Sequence, residues 1–214
     1  MTINDIKDKL LQSGSTHQGD TQIPVIEDGL YIIQHIDEYA EYILNLSNNY
    51  TSFNNCVFIG IGSGGEIKIF CDLFECNNVL AIDDGSFDLA YKHWSRIKNT
   101  IKCNLVEIIA DSNSDETISK IECFSKEFKG IDYAFVDGNH EEQYVKNDFI
   151  NLDKHMNSNS IISFHDTTMG GPQAAIEELK KSCNYNFFSE NKIKYGITSF
   201  KKIMKNEEVK NEEL

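Results

Sequence analysis

The sequence predicts an α/β protein with a mostly parallel, seven-stranded sheet, helices on both faces and a C-terminal antiparallel strand pair. Three observations carry that prediction. Five short apolar runs alternate with segments of helical period. Each run stops on glycine, acidic or imidazole residues. No internal repeat and no run of about 18 apolar residues points to another architecture.

In chain order, MTINDIKDKLLQSG reads as a short helix that leads into a polar loop, STHQGDTQIP. EDGLYIIQHIDEYAEYILNLS has apolar residues at Leu30, Ile33, Ile36, Ala40, Ile43 and Leu44, a helical period. Acidic residues at its start suit a helix N-terminus. The strands are then CVFIGI, NVLAID, NLVEIIA, IDYAFVD and SIISFHD. Between them lie helices at GEIKIFCDLF, FDLAYKHWSRIKN, SDETISKIECFSKEF and EEQYVKNDFINLDKHM, and GPQAAIEELKKS follows the last. NYNFFSE and KYGITSFKK form the closing antiparallel pair. Strands that alternate with helices make βαβ units, whose parallel strands are buried on both faces and so read as continuous apolar runs.

The 214 residues suffice for one large domain. A net charge of −14 disfavours phosphate-backbone contact, so no nucleic-acid partner is expected. Part of that charge sits in the terminal stretch KNEEVKNEEL, read as a solvated tail. Cys56, Cys71, Cys76, Cys103, Cys123 and Cys183 form no CxxC pair, and several lie in apolar runs as small core residues. No signal peptide and no membrane span is read, so the expected location is cytoplasmic. A homo-oligomer is compatible with the sequence, which does not specify the state.

Ligands of such sheets bind at the carboxyl ends of the strands, where the strand order reverses. The first strand ends in GIGSGGE, with Gly60, Gly62, Gly64 and Gly65 running into a helix. Such a turn lets the backbone approach a nucleotide or nucleoside cofactor. The second ends in AIDDG. Asp83 is placed to accept hydrogen bonds from ribose hydroxyls, while Asp84 is either a second such acid or a helix cap. In ADSNSDET, Asp111 and Ser112 can meet an adenine edge, although capping by Ser114 or Asp115 explains the stretch about as well. The fourth and fifth strands end in FVDGNH and SFHDTT. Two neighbouring strand ends with the same acid-plus-imidazole chemistry, Asp137 and His140 with His165 and Asp166, point to a metal or proton-transfer site. His165 and Asp166 can both face it only if the strand has ended before them.

Together these stretches, from about residue 54 to 170, resemble the class I S-adenosylmethionine-dependent methyltransferases. The resemblance is nearest to the branch of cephalosporin-hydroxylase-like proteins and metal-dependent sugar O-methyltransferases. Its most specific part is D-G-x-H, seven residues, an aspartate (Asp148), then a strand ending in H-D. The resemblance implies a Rossmann-like class I methyltransferase fold and S-adenosylmethionine as cofactor, held by Gly60, Gly62, Gly64, Gly65, Asp83, Asp111, Ser112 and Asp137. It implies a divalent metal, Mg²⁺ or Mn²⁺, on Asp137, His165 and Asp166, with His140 as the general base. Residues 1–50 are then an N-terminal helical and lid segment, 51–203 the cofactor-binding catalytic domain, and 204–214 a disordered acidic tail. Two positions depart from the family pattern: Gly60 and His165 stand where relatives often carry an acid, and Glu66 is a substitute contact for the cofactor's amino group. The implied reaction is O-methylation of a small hydroxylated acceptor. An NAD-dependent oxidoreductase or epimerase and a non-catalytic nucleoside-binding protein are the alternatives.

Overall fold

A computed structural model describes residues 2–12, 35–86, 88–181 and 184–203. The loop and lid stretch over residues 13–34, with the expected start of the second helix, and the tail after residue 203 lie outside them. The described elements are α1 (Ile3–Gln12), α2 (Ile36–Ser47), β1 (Asn55–Ile59), α3 (Gly65–Phe74), β2 (Asn78–Asp83), α4 (Asp88–Ile97), β3 (Asn104–Ile109), α5 (Asp115–Phe128), β4 (Ile131–Val136), α6 (Glu142–Asp153), β5 (Met156–Phe164), α7 (Gly170–Leu179), β6 (Tyr185–Asn191) and β7 (Ile197–Lys202).

One seven-stranded sheet runs β3-β2-β1-β4-β5-β7-β6. The pairings among β1 to β5 are parallel, and β7 is antiparallel to both β5 and β6. The chain enters at the centre, winds out to β3, and returns to place β4 on the other side of β1. The order therefore reverses between β1 and β4.

Strand residues sort by parity onto two cores. Cys56, Phe58, Tyr133 and Phe135 face the side covered by α1 to α4, with Ile6, Tyr39, Tyr42, Phe70 and Trp94. Val57, Ile59, Ala134 and Val136 face the side covered by α5 to α7, with Ile121, Leu152 and Ile176. The first core is aromatic, and Phe70 stacks on Tyr133 with ring centroids 4.2 Å apart. Burying each such ring contributes roughly 1.5–3 kcal/mol. Both α1 and α2 pack into this core rather than standing apart from the sheet.

Two strands differ from the sequence expectation. β3 reads as fully buried, yet it is an edge strand, with Val106 and Ile109 exposed. Its apolar composition does not say that nothing pairs beyond it. The helix expected through Met156 stops at Asp153, where His155 N–H closes a turn on Leu152 O at 2.9 Å. Met156 already pairs with Ile131, and the register shifts before Tyr133 meets Ile161. Asn159 adopts φ +66° in that irregular stretch. A bulged, polar strand start has no period to read. Cys56, Cys71 and Cys76 are buried free thiols, as their apolar surroundings imply. Among the described residues, no helix is long and apolar enough to cross a membrane.

Candidate active site

The carboxyl ends of β1, β4 and β5 lie side by side, and backbone bonds carry the ladder one residue past the strands. Asp137 N–H donates to Ile59 O at 2.8 Å and His165 N–H to Val136 O at 3.1 Å. These bonds seat Asp137 and His165 next to each other at the point of strand reversal. Gly60, at φ +91°, is required there, because a Cβ would stand 2.0 Å from the Asp137 carbonyl oxygen. Gly64, at φ +80°, has a different reason to be glycine: its Cβ would stand 2.2 Å from the Trp94 ring.

A cleft of about 810 Å³ opens over these strand ends. Gly60, Gly62, Asp83, Asp111, Ser112, Asp137, His140, His165 and Asp166 all line it. Gly64 and Gly65, grouped with them in the sequence reading, are not on its wall; Gly64 makes room for Trp94 and Gly65 is buried as the first residue of α3. Six carboxylates line the cleft (Glu66, Asp83, Asp84, Asp111, Asp137 and Asp166), and the described lining holds no lysine or arginine.

The glycine turn is held by the protein itself. Asp83 Oδ2 accepts from Ile61 N–H at 2.8 Å and Gly62 N–H at 3.2 Å, and Oδ1 accepts from Gly85 N–H at 2.8 Å. Asp84 Oδ1 accepts from Ser86 N–H at 2.8 Å, an Asx turn before α4 rather than a cap on it. At the next strand end Ser114 is the N-cap of α5, accepting from Thr117 N–H at 3.2 Å. That leaves Asp111 and Ser112 on the cleft wall, where Tyr144 Oη donates to Asp111 Oδ2 at 3.1 Å.

At the opposite end of the cleft is a cluster of charges. β5 stops at Phe164, and Asp166 takes a left-handed φ of +55°, a conformation that costs about 1–2 kcal/mol for a non-glycine residue. This turn brings His165 and Asp166 to one site despite their adjacency. His165 Nδ1 lies 3.1 Å from Asp137 Oδ1 and 3.2 Å from Asp166 Oδ2, and its Nε2 lies 3.2 Å from Glu38 Oε1. His140 Nε2 lies 2.9 Å from Asp166 Oδ2 and 3.6 Å from Asp137 Oδ1.

Three carboxylates therefore face two imidazoles. Burial by itself would raise the Asp137 carboxyl, but the charge of His165 and the contact with His140 outweigh it and hold it low. Asp166 is held low by the same two imidazoles against the same burial. Contacts with Asp137 and Asp166 raise His140 to about 10, so it is protonated at neutral pH. His165 is raised well above the ordinary imidazole range, because the charge of Asp137 overcomes its burial.

The donor atoms of Asp137, His140 and Asp166 lie within 4.8 Å of one another. Two carboxylates and one imidazole suit a divalent cation. The set differs from the sequence expectation at one position: both ring nitrogens of His165 already face carboxylates, and His140 stands where a third donor can converge. The sequence reading missed Glu38. This residue, fully buried on α2, accepts from the N–H groups of Lys194 (2.8 Å), Tyr195 (3.0 Å) and Gly196 (2.9 Å) besides facing His165. In the sequence it looks like any acid in a first helical turn.

Residues 57–167 match the family model described as "Methyltransferase domain". A curated relative, the uncharacterized protein R132 of Acanthamoeba polyphaga mimivirus, is 30% identical over 128 residues, 57% of this chain and 56% of that protein. The structure is similar to the MycE methyltransferase from the mycinamycin biosynthetic pathway, solved in complex with Mg and SAH. The TM-score is 0.56 at 14% identity, over 80% of this chain and 51% of that one. It is also similar to an rRNA methylase from Streptococcus thermophilus, with TM-score 0.57 at 12% identity, over 81% of this chain and 99% of that one. The chain thus spans about half the length of the curated relative and of MycE. At these identities the solved structures share the fold alone, one named for a biosynthetic pathway and the other for rRNA.

Proposed function

The chain belongs to the family of methyltransferase domains, and we propose that it moves the methyl group of S-adenosylmethionine to a hydroxyl of a small acceptor with a divalent cation's help. The observation that carries this reading is the charge of the cleft: six carboxylates and, among the described lining, no lysine or arginine. A dinucleotide needs backbone N–H groups and positive charge at its pyrophosphate. Here the amides of Ile61 and Gly62 already donate to Asp83. An acidic wall instead favours a sulfonium, and the same argument speaks against an RNA acceptor.

When bound, the cofactor supplies an electrophilic methyl group for in-line displacement, so the protein's task is orientation and electrostatics. Gly60 and Gly62 give the cofactor's amino-acid part close access to the backbone, with Glu66 near its amino group. Asp83 is the ribose partner and Asp111 with Ser112 the adenine partner. Asp137 and Asp166 fit a divalent cation by their donor chemistry, and such an ion would lower the pKa of an acceptor hydroxyl, with His140 beside them kept for the proton rather than for the ion. His165, fixed between Glu38 and the two aspartates, offsets part of their charge. His140 as it stands is an acid; with the charge of Asp137 and Asp166 offset it returns toward the ordinary imidazole range and accepts the hydroxyl proton.

Isothermal titration with S-adenosylhomocysteine, NAD, Mg²⁺ and Mn²⁺ tests the reading. S-adenosylhomocysteine is expected to bind and NAD not. Asp137→Ala and Asp166→Ala are expected to lose cation binding and metal-stimulated transfer while keeping most of their affinity for S-adenosylhomocysteine. NAD binding, or full metal-stimulated activity in either variant, overturns it.

A further inference from the structure

Helix α6 presents Tyr144 and Asp148, one turn apart, to the turn between β3 and α5. Tyr144 holds Asp111, and Asn113 Nδ2 donates to Asp148 Oδ1 at 3.0 Å and to Ser112 Oγ at 3.1 Å. Asn113 N–H in turn donates to Asp111 Oδ1 at 2.7 Å, and Thr117 Oγ1 to Asp111 O at 2.8 Å. Asp148 is 1% exposed. Neither the motif that contains it nor the reaction described above gives it a task.

Its hydrogen bonding is incomplete in a specific way. Asp148 Oδ2 and Asn113 Oδ1 are both buried acceptors without a donor. An unsatisfied buried acceptor costs about 1–3 kcal/mol, and more when it is ionised. A proton on Asp148 converts one of the two orphans into a donor. Burial pushes the Asp148 acid up to about 7, against the lowering effect of Ser112 and Asn113. The titratable groups facing it are Asp111 across the turn and Tyr144 on its own helix.

We infer that Asp148 is a positioning residue for the base of the cofactor: it holds the Asn113 amide that occupies the acceptor side of Ser112, and in its protonated form it leaves the serine hydroxyl to donate into the cleft toward a ring-nitrogen acceptor. Ionised, Asp148 takes the serine proton for itself and leaves Ser112 facing the cleft as an acceptor. The protonated arrangement fits adenine, whose N1 accepts. It disfavours hypoxanthine, whose N1 carries a hydrogen. The inference rests on the methyl-donor reading and deepens it, since it names the group that sets the polarity of the base contact.

The test is titration of S-adenosylhomocysteine and its S-inosyl analogue into the unchanged protein, Asp148→Asn and Asp148→Ala at pH 6 and pH 8.5. In the unchanged protein the affinity for S-adenosylhomocysteine is expected to fall about 5–10-fold at the higher pH, the scale of one exchanged hydrogen bond, with preference over the inosyl analogue shrinking in step. Asp148→Asn, neutral and still a donor, is expected to keep the pH 6 affinity at both pH values. Asp148→Ala is expected to be weakened at both. Affinity flat with pH in the unchanged protein, or Asp148→Asn as weak as Asp148→Ala while its thermal melt shows a folded chain, overturns the inference alone. No binding of S-adenosylhomocysteine by the unchanged protein overturns the methyl-donor reading as well.

Discussion

Two carboxylates, Glu38 and Asp148, are almost equally hidden from solvent, at 0% and 1% exposure, and burial has opposite outcomes for them. Glu38 accepts three backbone N–H bonds and faces an imidazolium, and its acid is lowered despite its burial. Asp148 accepts one amide, its second oxygen has no partner, and its acid rises to about 7. Desolvation penalises the charged form of both; the donors aimed at each group decide which form survives. The end of the cleft at β4 and β5 is thereby a set of fixed charges, while beside α6 one buried acid has a proton to lose.

The largest expected effect tests the Glu38 half of that contrast. Glu38→Leu leaves His165 charged and three N–H groups unpaired, so it should destabilise the chain by about 3–5 kcal/mol in urea unfolding. A loss under about 1 kcal/mol would mean that Glu38 is an onlooker. Next in size is Asp148→Asn. A carboxyl raised in the folded state keeps its proton while the unfolded chain gives it up, so its cost grows from about pH 4 to pH 7 and is constant above. That span is roughly three pH units at 1.36 kcal/mol each, so the variant should gain up to about 4 kcal/mol at pH 8 and nothing at pH 4. Thermal melts across that range would show the crossing, and equal gains at both ends would refute it.

His140 titrates with the opposite sign. Its folded pKa of about 10 lies above the ordinary 6.5. The stability it contributes is therefore complete below about pH 6.5 and is lost as pH rises through 10. The melting temperature should fall between pH 7.5 and 10, and His140→Gln should flatten that fall. The group is partly exposed, which keeps the effect small. Smaller still is Tyr144→Phe, which removes one exposed bond to Asp111 and should weaken S-adenosylhomocysteine binding about 2–5-fold in titration. No change at all would leave Asp148 as the main hold of α6 on the turn between β3 and α5.

How far the site could be read in advance depended on where each residue sits relative to a strand end. Asp137, His140, His165 and Asp166 interrupt apolar runs, so they stand out without a structure. Asp83 stood out for the same reason, but its bonds to Ile61 and Gly62 could not be seen. Asp148 was visible as part of a motif and had no evident task, since Asn113 lies 35 residues away. Glu38 was invisible as a site residue, being 127 residues from His165 in a turn where acids are ordinary.

The amino-acid sequence by itself determined the alternation of strands and helices, the parity that feeds two cores, and the polar residues that end each strand. These follow from local periodicity and from the cost of burying polar side chains. Tertiary structure alone decided that β3 is an edge, that Gly64 serves Trp94 rather than the cleft, and which buried acid keeps its charge. Each of those depends on what another part of the chain brings within a few ångströms, and no local pattern records that.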